Sequence, residues 1–344
     1  IKLTQTKNYE FLLDFANGEW VTILGDDDGI MPNFFDTLDE LIKKYPQHEI
    51  FKFKRAIYYW DGVSDMYGDR VVFYEDLART AKIRNSKLNL LFSLCGLSSA
   101  QDLPMIYTSG VVKNSLVKRI KDKSENFFFH SVVPDYYSMA ALSFECSNYV
   151  FSEKPVFWVG VSSKSAGRKR KIYFDTFKDL HKKNLNIKIN NNLELTGKIS
   201  KILHKLGLTS AYLFEAILKH PYKKKFWTNK IVRTLVYSSI ICNYIYLIKQ
   251  PGRIKLKLKK GIFFKIILKE IKLYKLNLFL IFIFSSLIYL LKSSLNIMNR
   301  INIYIEKFIK NIFYKKKPLI LVSKNRIEFG NFIKVNKYLK LNND

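Results

Sequence analysis

Acidic side chains all but stop at Asp179, after which only six Asp or Glu follow. Of the 58 Lys and Arg and 29 Asp and Glu in the 344 residues, residues 1–160 hold 18 basic and 21 acidic, a net of −3. Residues 161–344 hold 40 basic and 8 acidic, a net of +32. One kind of surface cannot serve both parts. The first reads as an ordinary, slightly acidic globular domain. The second must face something anionic, either phospholipid or nucleic acid. At 48% hydrophobic residues the chain has enough apolar side chains for a packed core, which excludes wholesale disorder. The length suits two domains, or one domain with an appendage. Cys95, Cys146 and Cys242 are odd in number and far apart. They offer neither a disulfide framework nor zinc spacing and read as small core residues in a reducing compartment.

Periodicity predicts alternating helices and strands over residues 1–170. A helix over Leu3–Asn17 ends at Asn17-Gly18, and Glu19–Leu24 is a buried strand running straight into Gly25-Asp26-Asp27-Asp28-Gly29. Pro32-Asn33 opens a helix through Phe34, Phe35, Leu38, Leu41 and Ile42, with Lys43 and Lys44 suiting its C-terminal dipole. Further strands are expected at Glu49–Trp60, Met105–Ser109, Tyr149–Ser152 and Pro155–Val161. Helices are expected over most of Tyr74–Leu97, over Val111–Ile120 and from Pro134-Asp135 to Leu142. This pattern is an α/β sandwich. A second, basic and mostly α-helical region is expected over 171–344, with the Asn-rich stretch 184–192 as a linker. Within it, lysines at 265, 269, 272 and 275 alternate with apolar residues at helical spacing. Leu276–Leu291 is almost purely apolar but spans too few residues to match the ~20 of a comfortable bilayer crossing. Ile231–Ile248 is a second apolar run that includes Arg233. Both suit a membrane-surface or partly inserted arrangement.

The triple aspartate is the strongest chemical signal. Three adjacent carboxylates repel one another unless a cation or solvent neutralises them. At the carboxyl end of a strand in an α/β sheet they point into the ligand crevice. All-oxygen ligation suits a hard cation, Mg2+ or Mn2+, that also holds phosphate oxygens. The alternative is a solvated acidic turn ahead of the helix at Pro32.

The flanking residues carry a resemblance. Gly18-Glu19-Trp20-Val21-Thr22-Ile23-Leu24-Gly25-Asp26-Asp27-Asp28-Gly29-Ile30-Met31-Pro32 resembles the metal-binding segment of family 2 glycosyltransferases, enzymes of the GT-A fold. The resemblance implies that Asp26 and Asp28 serve as the D-x-D pair toward metal and nucleotide, with Asp27 in the position often given to direct metal contact. Gly25 stands where many members have another acid. Ser131-Val132-Val133-Pro134-Asp135-Tyr136-Tyr137 is similar to the family's second acidic segment, which implies that Asp135 is the general base on the acceptor hydroxyl. Gly110 matches a small residue ahead of the acceptor-side helix. Lys164, in the loop 160–167, could close over a diphosphate. Arg168-Lys169-Arg170-Lys171 reads as a solvated run, and His130, Trp60 and Asp61 are weaker site candidates. No Gln-x-x-Arg-Trp segment of processive members is present, which favours single-sugar addition. The family's first nucleotide-binding strands have no counterpart here, so the resemblance implies a GT-A-like α/β mixed-sheet sandwich truncated by roughly 60–90 residues at its N-terminus.

The function implied is a metal-dependent inverting glycosyltransferase, using Mn2+ or Mg2+. It would move one sugar from a nucleotide-sugar donor to a saccharide or lipid-linked saccharide in cell-surface glycan synthesis. The basic half would hold it on the cytoplasmic face of the plasma membrane, where each lysine contributes ~1 kcal/mol near anionic lipid. The alternative is a non-catalytic basic protein that binds membrane or nucleic acid and carries a degenerate transferase domain. Nucleic acid is the lesser expectation, because the basic half lacks zinc spacing and an RNA-recognition motif and is rich in aliphatic residues.

Overall fold

The structure, a computed structural model, describes residues 5–59, 70–72, 81–131, 133–162, 209–221, 229–248, 264, 267–268, 271–294 and 320–322. Its centre is a curled, mixed sheet built on two long strands, β3 (Ile50–Tyr59) and β7 (Asn148–Val161), which run parallel. Their first halves are flanked by β6 (Gly110–Lys113) on the β3 side and by β5 (Ala81–Asn85) on the β7 side, both antiparallel. Their second halves are flanked by β4 (Arg70–Val72) and by the short β2 (Gly29–Ile30). β1 (Trp20–Val21) pairs with β6, and β8 (Ile320–Val322) adds to the edge at β4.

The register between the long strands steps from Phe53 opposite Ser152 to Arg55 opposite Phe157. The extra residues of β7 around Lys154 and Pro155 form a bulge. A bulge bends the strand and re-aims the side chains beside it.

Strand alternation sorts the core into two layers. Phe51, Phe53, Val111, Val150 and Phe157 pack with Phe34, Leu38 and Leu41 of α2 (Phe34–Lys44). On the other face Ile50, Val112, Tyr149 and Phe151 pack under α3 (Ser86–Leu94), α4 (Asn114–Asp122) and α5 (Pro134–Glu145), with Tyr9 and Leu13 of α1 (Gln5–Asp14). Each buried Phe or Leu contributes roughly 1.5–3 kcal/mol against exposure. Leu213, Phe214 and Ile217 of α6 (Thr209–Leu218) and Val236, Tyr237 and Ile240 of α7 (Lys230–Ile248) belong to that same second layer. These helices of the basic half, beyond the expected boundary at 170/171, therefore share their core with the α/β half. A further helix over 278–294 lies against α7 through Ile281 and Ile288, and its first turn is capped by the Asn277 side chain, which accepts from Phe279 N at 2.9 Å.

Several sequence expectations shift. Residues 81–85 form a strand, not a helix. They are held along β7 by the Arg84 guanidinium stacked 3.6 Å from the Phe151 ring and by the Lys82–Glu153 pair at 3.0 Å. Asn85 then caps α3 by accepting from Leu88 N at 2.9 Å. The strand expected at 105–109 lies instead at 110–113, and α4 begins only at Asn114. The reason is backbone geometry: Thr108 and Ser109 have φ of +33° and +96°, which breaks an extended run. The two strands expected between 149 and 161 are one bulged strand. β8 places a strand in a half expected to be mostly helical. The three cysteines are buried and unbonded. No described helix is long and apolar enough to cross a membrane.

Candidate active site

The chain leaves β1 clamped along residues 106–108: Ile23 N donates to Ile106 O at 2.8 Å, and Thr108 N donates to Ile23 O at 2.9 Å. It then turns on itself. Asp28 N donates to Gly25 O at 3.3 Å, and Gly25 N donates to Asp28 Oδ2 at 2.9 Å. Asp28 Oδ2 also accepts from Thr108 Oγ1 at 2.8 Å, and Oδ1 accepts from Gly160 N, near the end of β7, at 3.0 Å. One carboxylate thus joins the turn, the 105–109 connector and the far end of the bulged strand. A Cβ on Gly25 would lie 2.8 Å from both Asp28 Oδ2 and Tyr107 Oη, and 3.2 Å from Asp27 Oδ1. Three oxygens therefore crowd the place where a side chain would stand, and this is the physical reason for glycine there. Asp26 is exposed, while Asp27 and Asp28 are half-buried.

Asp135 stands in the first turn of α5, after Pro134. Pro preorganises that turn, and the helix dipole favours an acid within it. Burial works the other way and pushes the carboxyl up to about 6, Arg55 opposing the rise and the charge of Asp28 adding to it. Asp135 keeps part of its surface in contact with solvent although protein surrounds it, as at the floor of a cleft. Its Oδ1 has no hydrogen-bond partner. The turn and the helix start, far apart in sequence, thus sit within electrostatic range of one another.

Three residues that the sequence alone did not single out support this arrangement. Tyr107 stacks on Tyr9 with ring centroids 5.3 Å apart. The Tyr107 hydroxyl is raised in pKa by burial and then by the charges of Asp28 and Asp135. Arg55 projects beside the bulge, its guanidinium donating to Gln101 Oε1 and facing Asp135, Asp102 and Asp28. Burial lowers its pKa, and the three carboxylates resist that. Beneath it, Lys52 is fully buried and its ammonium donates to Ser109 Oγ. Burial drives its pKa well down, and Arg55 adds to that. Lys52 therefore fastens Ser109, the more distorted of the two left-handed residues. Strained backbone of this kind persists where the surroundings over-determine it, and it clusters at functional sites. A signal for Arg55 existed, a charged residue inside the otherwise strand-like Ile50–Tyr59. Tyr107 had none, since only the fold brings the 105–109 connector beside the aspartates.

Other candidates are placed differently. His130 Nε2 lies 3.2 Å from Ser124 O and 3.1 Å from Phe127 O, and its ring packs against Tyr137. It braces a turn of its own chain. Gly110 is required by packing, because the Met105 carbonyl occupies the place of a Cβ. Lys164, Trp60, Asp61 and Arg168–Lys171 lie outside the described residues.

No protein-family model matches the chain, and no curated protein matches it. Two solved structures of the S. aureus glycosyltransferase TarS are similar, each at 14% identity and a TM-score of 0.35. One alignment covers 70% of this chain and 42% of TarS; that with TarS 1–349 covers 73% of each. The chain thus spans less than half of the longer TarS chain. At that score the likeness is one of partial outline, and the chemistry has to come from the residues.

Among the described residues no group of three or more His, Cys, Asp or Glu could hold a metal ion by itself. A magnesium-like ion needs less, because one or two carboxylates suffice when substrate phosphates and water supply the rest. Asp28 already accepts three hydrogen bonds. Asp26, which is exposed, and Asp27 stand beside it at the turn, and the all-oxygen chemistry of carboxylates fits such an ion.

Proposed function

We propose that the protein is an inverting glycosyltransferase that uses a nucleotide-sugar donor, with Asp135 as general base. The observation that carries this reading is Asp135 itself: a largely buried carboxylate with an oxygen unused by the fold, within electrostatic range of the aspartate turn. A base that must accept a proton near neutral pH is best served by a pKa close to that range. Asp135 is raised toward it by burial.

The division of labour follows from the residues. The Asp135 carboxylate accepts the proton of an acceptor hydroxyl as that oxygen attacks the anomeric carbon. The bond from that carbon to the nucleotide diphosphate breaks in the same displacement, so the configuration inverts. A second carboxylate nucleophile is unnecessary in such a single step, as in inverting glycosidases. Asp28 keeps the turn, Tyr107 and the end of β7 in register. Asp26 and Asp27 would hold a divalent ion, which when bound supplies charge neutralisation on the diphosphate. Arg55 balances the negative charge around Asp135, so that the base can be ionised inside a desolvated cleft. The acceptor in this reading is a saccharide or lipid-linked saccharide, and single-sugar addition is favoured.

The test is turnover of UDP- and GDP-sugars with Mn2+ by the full-length protein. Release of the nucleotide diphosphate that depends on Mn2+ and falls in Asp27→Ala supports the reading. No release with any donor, together with no donor-induced change in thermal midpoint, removes it.

A further inference from the structure

The helix over 278–294 has two unlike faces. On one, Ile281 and Ile288 are buried, Ser238 Oγ donates to Ile281 O at 3.1 Å and Ser285 Oγ donates to Ser238 O at 3.4 Å. That face is committed to α7. The opposite face carries Phe279, Ile283, Leu287 and Leu290, with Phe282 and Leu291 beside them, all exposed. Their spacing of three, four and seven places them in one stripe. Phe279, Phe282 and Leu290 are 69%, 70% and 61% exposed, so none of the described residues covers the stripe. A contiguous exposed apolar ridge of this kind marks an interaction surface.

We infer that this ridge seats the protein flat on an anionic lipid bilayer, with Phe279, Phe282 and Leu290 entering the boundary between headgroups and acyl chains. Charge decides among possible occupants. No charged residue interrupts Leu276–Leu291, while exposed Lys272 and Lys275 stand at its N-terminal end with exposed Leu273 between them. The half to which the ridge belongs has a net of +32. A second copy brought face to face would oppose that charge with itself, which disfavours pairing. Anionic headgroups offer the opposite sign, and the acyl region accepts the aromatic and aliphatic side chains. Spanning is the wrong geometry. A helix of this length rises only ~26 Å against a hydrocarbon core of ~30 Å. Its other face is already packed on α7. The inference stands apart from the transferase reading, since docking needs neither donor nor acceptor.

The experiment is sedimentation of the full chain with vesicles of phosphatidylcholine containing about a third phosphatidylserine, and with pure phosphatidylcholine, at ~150 mM salt. Phe279→Ser, Phe282→Ser and Leu290→Ser combined should weaken binding to the anionic vesicles at least about tenfold, since each removes buried apolar area. Because these side chains are exposed, the thermal midpoint should hold. As a second readout, Phe282→Trp should shift its emission to the blue on vesicle addition and be quenched by lipids brominated along the acyl chain. Unchanged binding by the triple variant, or a Trp that stays unquenched in bound protein, overturns the inference. So does a dimer in lipid-free buffer that the triple variant dissolves, because the ridge would then join two copies.

Discussion

The turn at Gly25–Asp28 and the first turn of α5 each bring a carboxylate to one cleft, and the fold treats the two in opposite ways. Asp28 accepts from Gly25 N, Thr108 Oγ1 and Gly160 N, so both of its oxygens are in use. Asp135 is more deeply enclosed, yet its Oδ1 accepts nothing, and burial holds its pKa near 6. Buried polar groups normally find partners, and an ionisable one left idle in a cleft is a candidate for chemistry. Asp28 holds a structure together. Asp135, its pKa raised by burial, weakens the structure once ionised, and in the proposed reaction it is the group that meets the substrate.

Asp135→Asn tests that contrast most severely. Loss of a general base should lower kcat about 10²–10⁴-fold with little change in donor KM. If the proposed function holds, kcat/KM of the unsubstituted protein should rise with pH and level off above an apparent pKa near 6, where the base is ionised. Stability should move the other way. A carboxyl raised from its usual value to about 6 binds its proton more tightly in the folded state. Its contribution is favourable below the unfolded pKa and is lost as pH rises through 6. Asn at 135 removes that loss, a gain of up to about 3 kcal/mol at pH 7, read from urea unfolding at pH 5 and pH 7. A variant that stays active and melts lower would make Asp135 a structural residue and end the contrast.

Asp28→Ala should cost about 2–4 kcal/mol, because three donors lose a charged acceptor at once. The urea midpoint measures it, and a change below ~1 kcal/mol would mean that the turn does not depend on this side chain. Gly25→Ala sharpens the same point by about 1–3 kcal/mol, as the new methyl meets Asp28 Oδ2 and Tyr107 Oη at 2.8 Å. The smallest effect lies away from the cleft. Lys275 has φ of +49° and closes the helical turn at 271–273, with Leu276 N donating to Ile271 O at 2.9 Å and Lys275 N donating to Lys272 O at 3.1 Å. That is a Schellman arrangement with a side chain where glycine is usual. Lys275→Gly should raise stability by about 1 kcal/mol, visible as a small rise in thermal midpoint with unaltered turnover.

Much of the fold was legible along the chain. Helices α1, α2 and α5 follow from apolar spacing and end signals. The long strand at 50–59 follows from its β-branched and aromatic run. What was misread shares a cause. Ala81–Asn85 is a strand because β7 offers it an edge, and five residues carry too little pattern of their own to announce that. Met105–Ser109 looks extended by composition but bends, because Lys52 and Asp28 hold Ser109 and Thr108 from distant parts of the chain.

The amino-acid sequence alone determined the charge division at Asp179, the aspartate turn after a strand and an acid at the head of a helix, because each of these is a local pattern. Only the tertiary structure decided that Asp28 is a fastening, that Oδ1 of Asp135 has no hydrogen-bond partner, that Arg55 and Tyr107 feel the charge of both, and that helices of the basic half share the core of the acidic one. Those outcomes depend on desolvation and on hydrogen bonds between residues up to 132 positions apart, such as Gly160 N to Asp28 Oδ1. Neither is a property of any short stretch of chain.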